Sequence, residues 1–268
     1  MTRRTIANCL PSESESEHSR EFTLAAFNAH WGYGRFGVNR GVQFDVEELV
    51  RKWDVDVVVV PESRRDHDGV GMLDGLKDAS LPGGGYHVET LEMMDLERRR
   101  RNRNTTRDAV PPRGIWELAV CSRLPVLQRK TYPLGRVPTD PAGERRALGL
   151  TVSVGGTPVE VIGIHTSSKV WFLAGLQHLY GLKRRLSKGG PQVIAGDFNF
   201  WGPPIAAMMP GWKRPVRGRT FPAPNPHSQI DHVLVRGGIE GFDGEVLGPT
   251  LSDHRPIRTR LRLTDGVA

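Results

Sequence analysis

Eight residues of this chain pair a side chain suited to metal or proton chemistry with a place at the end, or inside, of an apolar run. Asn28 closes FTLAAFN, Glu62 closes DVVVVPE, His165 closes PVEVIGIH, and Asp197 and Asn199 close VIAGDFN. Asp231 interrupts IDHVLV, and Asp253 and His254 stand together just before the last apolar run, in SDHRPI. A carboxylate or amide at the mouth of a buried strand is costly unless a ligand or a local turn satisfies it. Strands laid side by side would gather these groups along one rim. Oxygen donors and amides suit a hard divalent ion such as Mg²⁺ or Mn²⁺ better than zinc. Two histidines with carboxylates available to orient them suit proton transfer and phosphate contact.

Each group also has a plainer reading. Asp197 and Asn199 alone fit an Asx-turn leaving a strand, and Asn28 fits a turn cap. Glu62 after Pro61 fits a solvated strand end, His165 a satisfied core histidine, and Asp253 a helix N-cap. What separates the two readings is whether the surrounding elements bring all eight together.

Those elements are legible as apolar runs. Strands are expected at 22–28, 56–62, 116–122, 147–154, 158–165, 192–196, 230–235 and 256–263, with Gly155 and Gly156 turning a hairpin. The continuous run DVVVV is expected of a strand covered on both sides. A helix at 44–53 places Val46, Leu49, Val50 and Trp53 on one face, and a second at 170–187 turns Leu179, Leu182 and Leu186 inward. Residues 63–115 and 202–229 show no clear period and read as long loops. The expected fold is α/β, with two packed mixed sheets flanked by helices.

The chain has 268 residues, enough for one large layered domain, with 31 glycines and 20 prolines that imply many turns. Its 37 basic and 30 acidic residues give a formal charge of +7, which favours polyanionic partners without choosing among them. Cys9 and Cys121 are too few and too far apart for a disulfide framework or a cysteine-rich zinc site, so the reducing cytoplasm is the expected compartment. Residues 1–20 lack the apolar core of a signal peptide and read as a disordered tail ahead of a single domain at 21–268. No apolar stretch is long enough to span a bilayer, and no obligate protein partner is inferred.

Seven blocks, FN at 27–28, VPES at 60–63, CSRLPV at 121–126, GIHT at 163–166, GDFN at 196–199, IDHVLV at 230–235 and SDHRPI at 252–257, together resemble the signature blocks of the endonuclease/exonuclease/phosphatase superfamily. The order matches along roughly residues 22–263. The resemblance implies a DNase I-like four-layered α/β sandwich with its site at the top of two packed sheets, and divalent-metal-dependent hydrolysis of a phosphate ester. Carried over block by block, it implies Glu62 as the main metal ligand, joined by Asn28 and Asp253, with Mg²⁺ as the ion and Mn²⁺ as the alternative. It implies that Asp197, helped by Asn199, orients or deprotonates the attacking water. It further implies a phosphate contact at His254, polarised by Asp231, and a phosphate or leaving-group contact at His165. The choice of base between Asp197 and His254 stays open. His30 stands where some nuclease members carry an acid, and His232 where an aromatic is common.

The substrate does not transfer with a fold. The basic balance favours DNA or RNA. The alternatives are a phosphatase or phospholipase acting on phosphoinositide, sphingomyelin-like or small phosphorylated substrates, and a nucleic-acid-binding scaffold without turnover. Trp201 is the best placed of Trp31, Trp201 and Trp212 to stack on a base. Arg98, Arg99, Arg100 and Arg101, in a run that continues to Arg103 and Arg107, read either as a solvated loop or as a contact for an anionic substrate.

Overall fold

The computed structural model describes residues 20–97, 113–138, 140–168 and 172–264. Residues 1–19 of the expected tail and the arginine run at 98–107 lie outside them. In chain order the elements are β1 (Glu21–Ala26), α1 (Val46–Trp53), β2 (Val57–Arg65), β3 (His87–Asp95), β4 (Ile115–Ser122), β5 (Val126–Arg136), β6 (Glu144–Val154) and β7 (Thr157–His165). There follow α2 (Phe172–Lys183), β8 (Gln192–Asp197), α3 (Gly202–Met208), β9 (Asp231–Arg236), β10 (Ile239–Val246) and β11 (Ile257–Leu263).

Alternation along the strands sorts side chains into layers. In β1 and β2, Leu24, Ala26, Val57 and Val59 face the second sheet, whereas Ala25, Val58 and Val60 face α1 through Val46, Val50 and Trp53. The run of valines is therefore covered on both sides. On the other flank, Ile162, Ile164 and Ile194 pack under Leu179 and Leu182 of α2 and Ile205 of α3. The result is helix, sheet, sheet, helix, as expected. The first sheet has the order β10-β11-β1-β2-β4-β3 and the second β5-β6-β7-β8-β9.

The sheets approach closely at Gly163 of β7. A Cβ there would lie 2.8 Å from Val120 Cγ2 and 3.1 Å from Val59 Cγ1. The β6–β7 hairpin turns at Gly155 and Gly156, with φ of 50° and 79°, and its flanking pair is Val154 with Thr157. Two consecutive positive φ values are what a two-residue turn matched to strand twist requires.

Three strands differ from the sequence reading, β3 inside the expected loop 63–115 and β5 and β10 in connections between expected strands. β3, β5 and β10 were not anticipated, and all three sit at sheet edges. These three are partly exposed and carry weak apolar alternation, unlike the buried edge strand β9; β5, for example, presents five consecutive exposed residues from Leu127 to Thr131. The stretch 202–229 holds α3 and the bridge of Phe221 with Ser228, so it is more ordered than a bare loop. The expected helix at 44–53 starts at Val46, where Asp45 caps it by accepting from Glu48 N at 2.9 Å. The second helix ends at Lys183, short of 187. Among the described residues no helix is long and apolar enough to cross a membrane.

Two parallel pairings set the rim. β1 lies parallel to β2, and β7 parallel to β8, so each pair delivers its C-terminal ends together. In the second sheet His165 pairs with Asp197, and Asp197 pairs with Asp231 at the start of antiparallel β9. In the first, antiparallel β11 returns the segment containing Asp253 and His254 to the end of β1.

Candidate functional site

The rim is centred on the Asp197 carboxylate, which is buried. Its Oδ1 accepts the Asn199 backbone N–H at 2.7 Å, closing the Asx-turn that the sequence allowed. Its Oδ2 looks the other way. It accepts from Asn28 Nδ2 at 3.0 Å and Asn199 Nδ2 at 3.2 Å, with His165 Nε2 at 3.4 Å and His254 Nε2 at 3.8 Å. The turn and the cluster are thus not rivals: one oxygen holds the loop and the other faces the cluster. Asn199 has φ 47°, a left-handed conformation that asparagine tolerates better than most residues.

His254 is oriented from behind by Asp231, whose Oδ2 and Oδ1 lie 2.9 Å and 3.1 Å from its Nδ1. That contact leaves Nε2 toward Asp197. Burial alone would push the imidazolium down, but the Asp231 and Asp197 carboxylates outweigh it and raise His254 to about 10. Burial pushes Asp197 up to about 7, with the Asp231 charge adding and the His254 charge and the Asn199 and Asn28 bonds opposing.

Glu62 sits on a bulge. Val60 pairs with Ala119 and Ser63 with Glu117, so Pro61 and Glu62 together oppose Leu118. Glu62 has φ 53°, which costs a side-chain-bearing residue about 1–2 kcal/mol. The bulge re-aims its carboxylate, whose Oε1 lies 4.0 Å from His165 Nε2. The backbone bond from Ala29 N to Pro61 O, 2.9 Å, holds the ends of β1 and β2 together.

Asn28, Glu62, His165, Asp197, Asn199, Asp231 and His254 therefore converge. Asp253 is beside His254 in sequence, and its Oδ2 lies 4.0 Å from Arg35 Nε rather than in a hydrogen bond to Asp197. Trp201 is 47% exposed at the start of α3, whereas Trp31 is buried and Trp212 packs beneath Arg236. Arg98, Arg99, Arg100 and Arg101 lie outside the described residues. His232 points away from the cluster, its Nε2 2.9 Å from Phe200 O, and burial lowers it to about 4.

The sequence reading did not single out several residues that complete the site. Ser252 Oγ donates to Asn28 O at 2.6 Å and accepts from His254 N at 3.2 Å, joining β1 to the SDH segment. Thr166 O accepts from Asn199 Nδ2 at 3.1 Å, and its hydroxyl donates to Phe198 O. Ser252 and Thr166 stand inside SDHRPI and GIHT, so proximity to the acids was the available signal. Phe221, whose ring centroid is 5.0 Å from that of His254, stood in a stretch with no readable period.

The donor chemistry fits a hard divalent cation: carboxylates at Glu62 and Asp253, an amide oxygen at Asn28, and no thiol. Ligand atoms of Asp197, Asp231 and His254 also lie within 4.8 Å of one another, but the Asp231 carboxylate is engaged by the His254 ring.

Two mixed sheets of six and five strands flanked by helices define a protein of the DNase I-like class. Residues 25–254 match the Endonuclease/Exonuclease/phosphatase family, and the chain belongs to that family. Its members are phosphoesterase hydrolases that generally depend on a divalent metal. Similar solved structures include an endonuclease/exonuclease/phosphatase from Beutenbergia cavernae, with 21% identity over 92% of this chain and 72% of that one and a TM-score of 0.65. The Bacteroides thetaiotaomicron mannosyl-6-phosphatase Bt3783 has 18% identity over 90% and 99% of the two chains, with a TM-score of 0.63. D. rerio TDP2, in complex with single strand DNA product, has 14% identity over 91% and 100%, with a TM-score of 0.61. No curated protein matches the sequence.

Proposed function

We propose that this protein is a divalent-metal-dependent phosphodiesterase of nucleic acid, with Mg²⁺ as its ion and Mn²⁺ as a substitute. The observation that carries the reading is the Asp197 Oδ2 atom, faced at once by two amides and two imidazoles. Glu62, Asn28 and Asp253 would hold the ion, which would supply charge neutralisation at the phosphate. Asp197 orients or deprotonates the attacking water through Oδ2, the oxygen that the Asx-turn does not hold. Asn199 and Asn28 aim it. His254, kept protonated by Asp231, donates Nε2–H to a phosphate oxygen, and His165 contacts the phosphate or the leaving group.

Nucleic acid is favoured by the +7 charge, the arginines at 98–101 and the exposed Trp201 ring, which offers a stacking surface. A second reading, hydrolysis of a phospholipid headgroup, draws on Phe36 and Val38, 39% and 96% exposed on the loop that also carries Arg35 beside Asp253.

The test is hydrolysis by purified protein of single-stranded DNA and RNA, phosphoinositide vesicles, mannose 6-phosphate and bis(4-nitrophenyl) phosphate, each with Mg²⁺, Mn²⁺ or EDTA. His254→Ala serves as control. Metal-dependent cleavage of the oligonucleotides, lost in the variant, is expected. Turnover of lipid or sugar phosphate alone would overturn the substrate while keeping the site, and binding of nucleic acid without turnover of anything would leave a scaffold.

A further inference from the structure

A buried stack next to His165 takes no part in the chemistry above. The Trp116 ring meets the His165 ring at 5.2 Å between centroids and 63°. Arg145 Cζ lies 4.6 Å from the Trp116 ring centroid. Arg145 in turn forks onto Asp140, with Nε 2.7 Å from Oδ2 and Nη2 3.1 Å from Oδ1. The two side chains are 6% and 0% exposed.

A second route leaves the same carboxylate. Asp140 accepts from the Ser167 side chain and from Ala142 N at 3.0 Å. Ser167 is two residues beyond His165, and its backbone N–H donates to His178 Nδ1 at 3.2 Å. Asp140 therefore reaches His165 twice, through Arg145 and Trp116 to the ring, and through Ser167 to the backbone that carries it.

A buried ion pair is a weak source of stability, since apolar residues of similar volume often do as well or better. What an apolar pair cannot supply is a planar, bidentate guanidinium of fixed tilt. We propose that Asp140 and Arg145 are positioning residues for His165, fixing the tilt of its ring toward Asp197 and the phosphate. This rests on the phosphoesterase reading, in which His165 contacts phosphate or leaving group.

The experiment replaces the pair together, Asp140→Leu with Arg145→Met, so that no buried charge is stranded. It measures bis(4-nitrophenyl) phosphate hydrolysis with Mn²⁺ in the wild-type and His165→Ala backgrounds. The paired change is expected to lower kcat by about 10- to 100-fold in the wild-type background, with KM moved less than about twofold. Against the residual activity of His165→Ala it is expected to cost less than about twofold, because the group it positions is gone. Equal losses in both backgrounds, or an unchanged kcat, would overturn the proposal.

Arg145→Lys is the second variant should the paired change fail to fold. It keeps the charge and loses the fork, so the same fall in kcat is expected, and a normal kcat overturns the idea. An arm free of substrate reads the imidazole ¹H–¹⁵N signals of the folded protein. In the paired variant those of His165 are expected to shift while those of His232 do not. Unmoved His165 signals reject the positioning role even if no substrate is ever turned over, which separates this failure from failure of the phosphoesterase reading.

Discussion

The Asp197 carboxylate divides its two oxygens between a turn and the rim, so substitutions around it separate by which oxygen they disturb. His254→Ala removes the imidazolium facing Oδ2 and is expected to lower turnover by about 10²- to 10⁴-fold, read as initial rates at saturating metal. Glu62→Gln is expected instead to raise the Mg²⁺ concentration for half-maximal rate by about 10-fold or more. A wild-type rate in the first, or a wild-type metal titration in the second, would remove that residue from its role. The acid side of the stability profile belongs to other residues. His178 and His232 are both lowered to about 4 by burial, so between that value and the ordinary 6.5 the unfolded chain binds more protons. Stability from these groups is full above about 6.5 and is lost as pH falls toward 4. Asp197, raised from 3.8 to about 7, works in the opposite sense over much of the window, and His254, raised from 6.5 to about 10, does so over its upper part until the unfolded imidazole is itself protonated; the two lowered histidines outweigh them by pH 4.5. Urea midpoints are expected to fall from pH 7 to pH 4.5, and His232→Gln to flatten the slope; a flat wild-type profile would contradict the assignment.

Most of the site was legible because each member interrupts or ends an apolar run, where a polar side chain is conspicuous. Ser252, Asp140 and Arg145 were not, and the reason is physical. Ser252 matters through a partner 224 positions away, and Asp140 and Arg145 act through an indole, so neither type nor spacing announces them.

At the scale of elements, strands whose residues are buried in a run were readable, β9 at an edge of the second sheet among them, and the partly exposed edge strands β3, β5 and β10 were not. β2, β4, β7 and β8 each carry runs of buried residues that no loop would bury, whereas β3, β5 and β10 pair along one side only. Their identity comes from the neighbour they join, which a local pattern does not contain. The bulge at Glu62 was equally hidden, since it is defined by the register of β2 on β4. The meeting of the two sheets gives a prediction at this scale. Gly163→Ala forces a methyl toward Val120 and Val59 and is expected to destabilise the fold by about 1–3 kcal/mol by urea unfolding. An unchanged midpoint would show that the sheets have room to give.

Taken whole, the molecule distributes its charge unevenly. The arginines of β11 are matched: Arg258 pairs with Glu245, Arg260 with Glu21 and Asp243, and Arg262 with Glu21. The run from Arg98 to Arg101 has no acid within it and is the better source of a net field. Replacing Arg98, Arg99, Arg100 and Arg101 by alanine is expected to weaken single-stranded oligonucleotide binding and to shrink the slope of log K against log salt by about 1 to 3. Fluorescence anisotropy at several salt concentrations measures this, and an unchanged slope would take these arginines out of the interface.

The parallel pairs β1–β2 and β7–β8 belong to different sheets, yet each delivers half of the rim. Neither sheet alone carries both Glu62 with Asn28 and Asp197 with Asn199. A refolding chain that had built both sheets without joining them would show nearly full far-ultraviolet ellipticity and no turnover. Regain of activity after dilution from urea therefore clocks the docking of one sheet on the other, a step that secondary-structure signals pass over in silence.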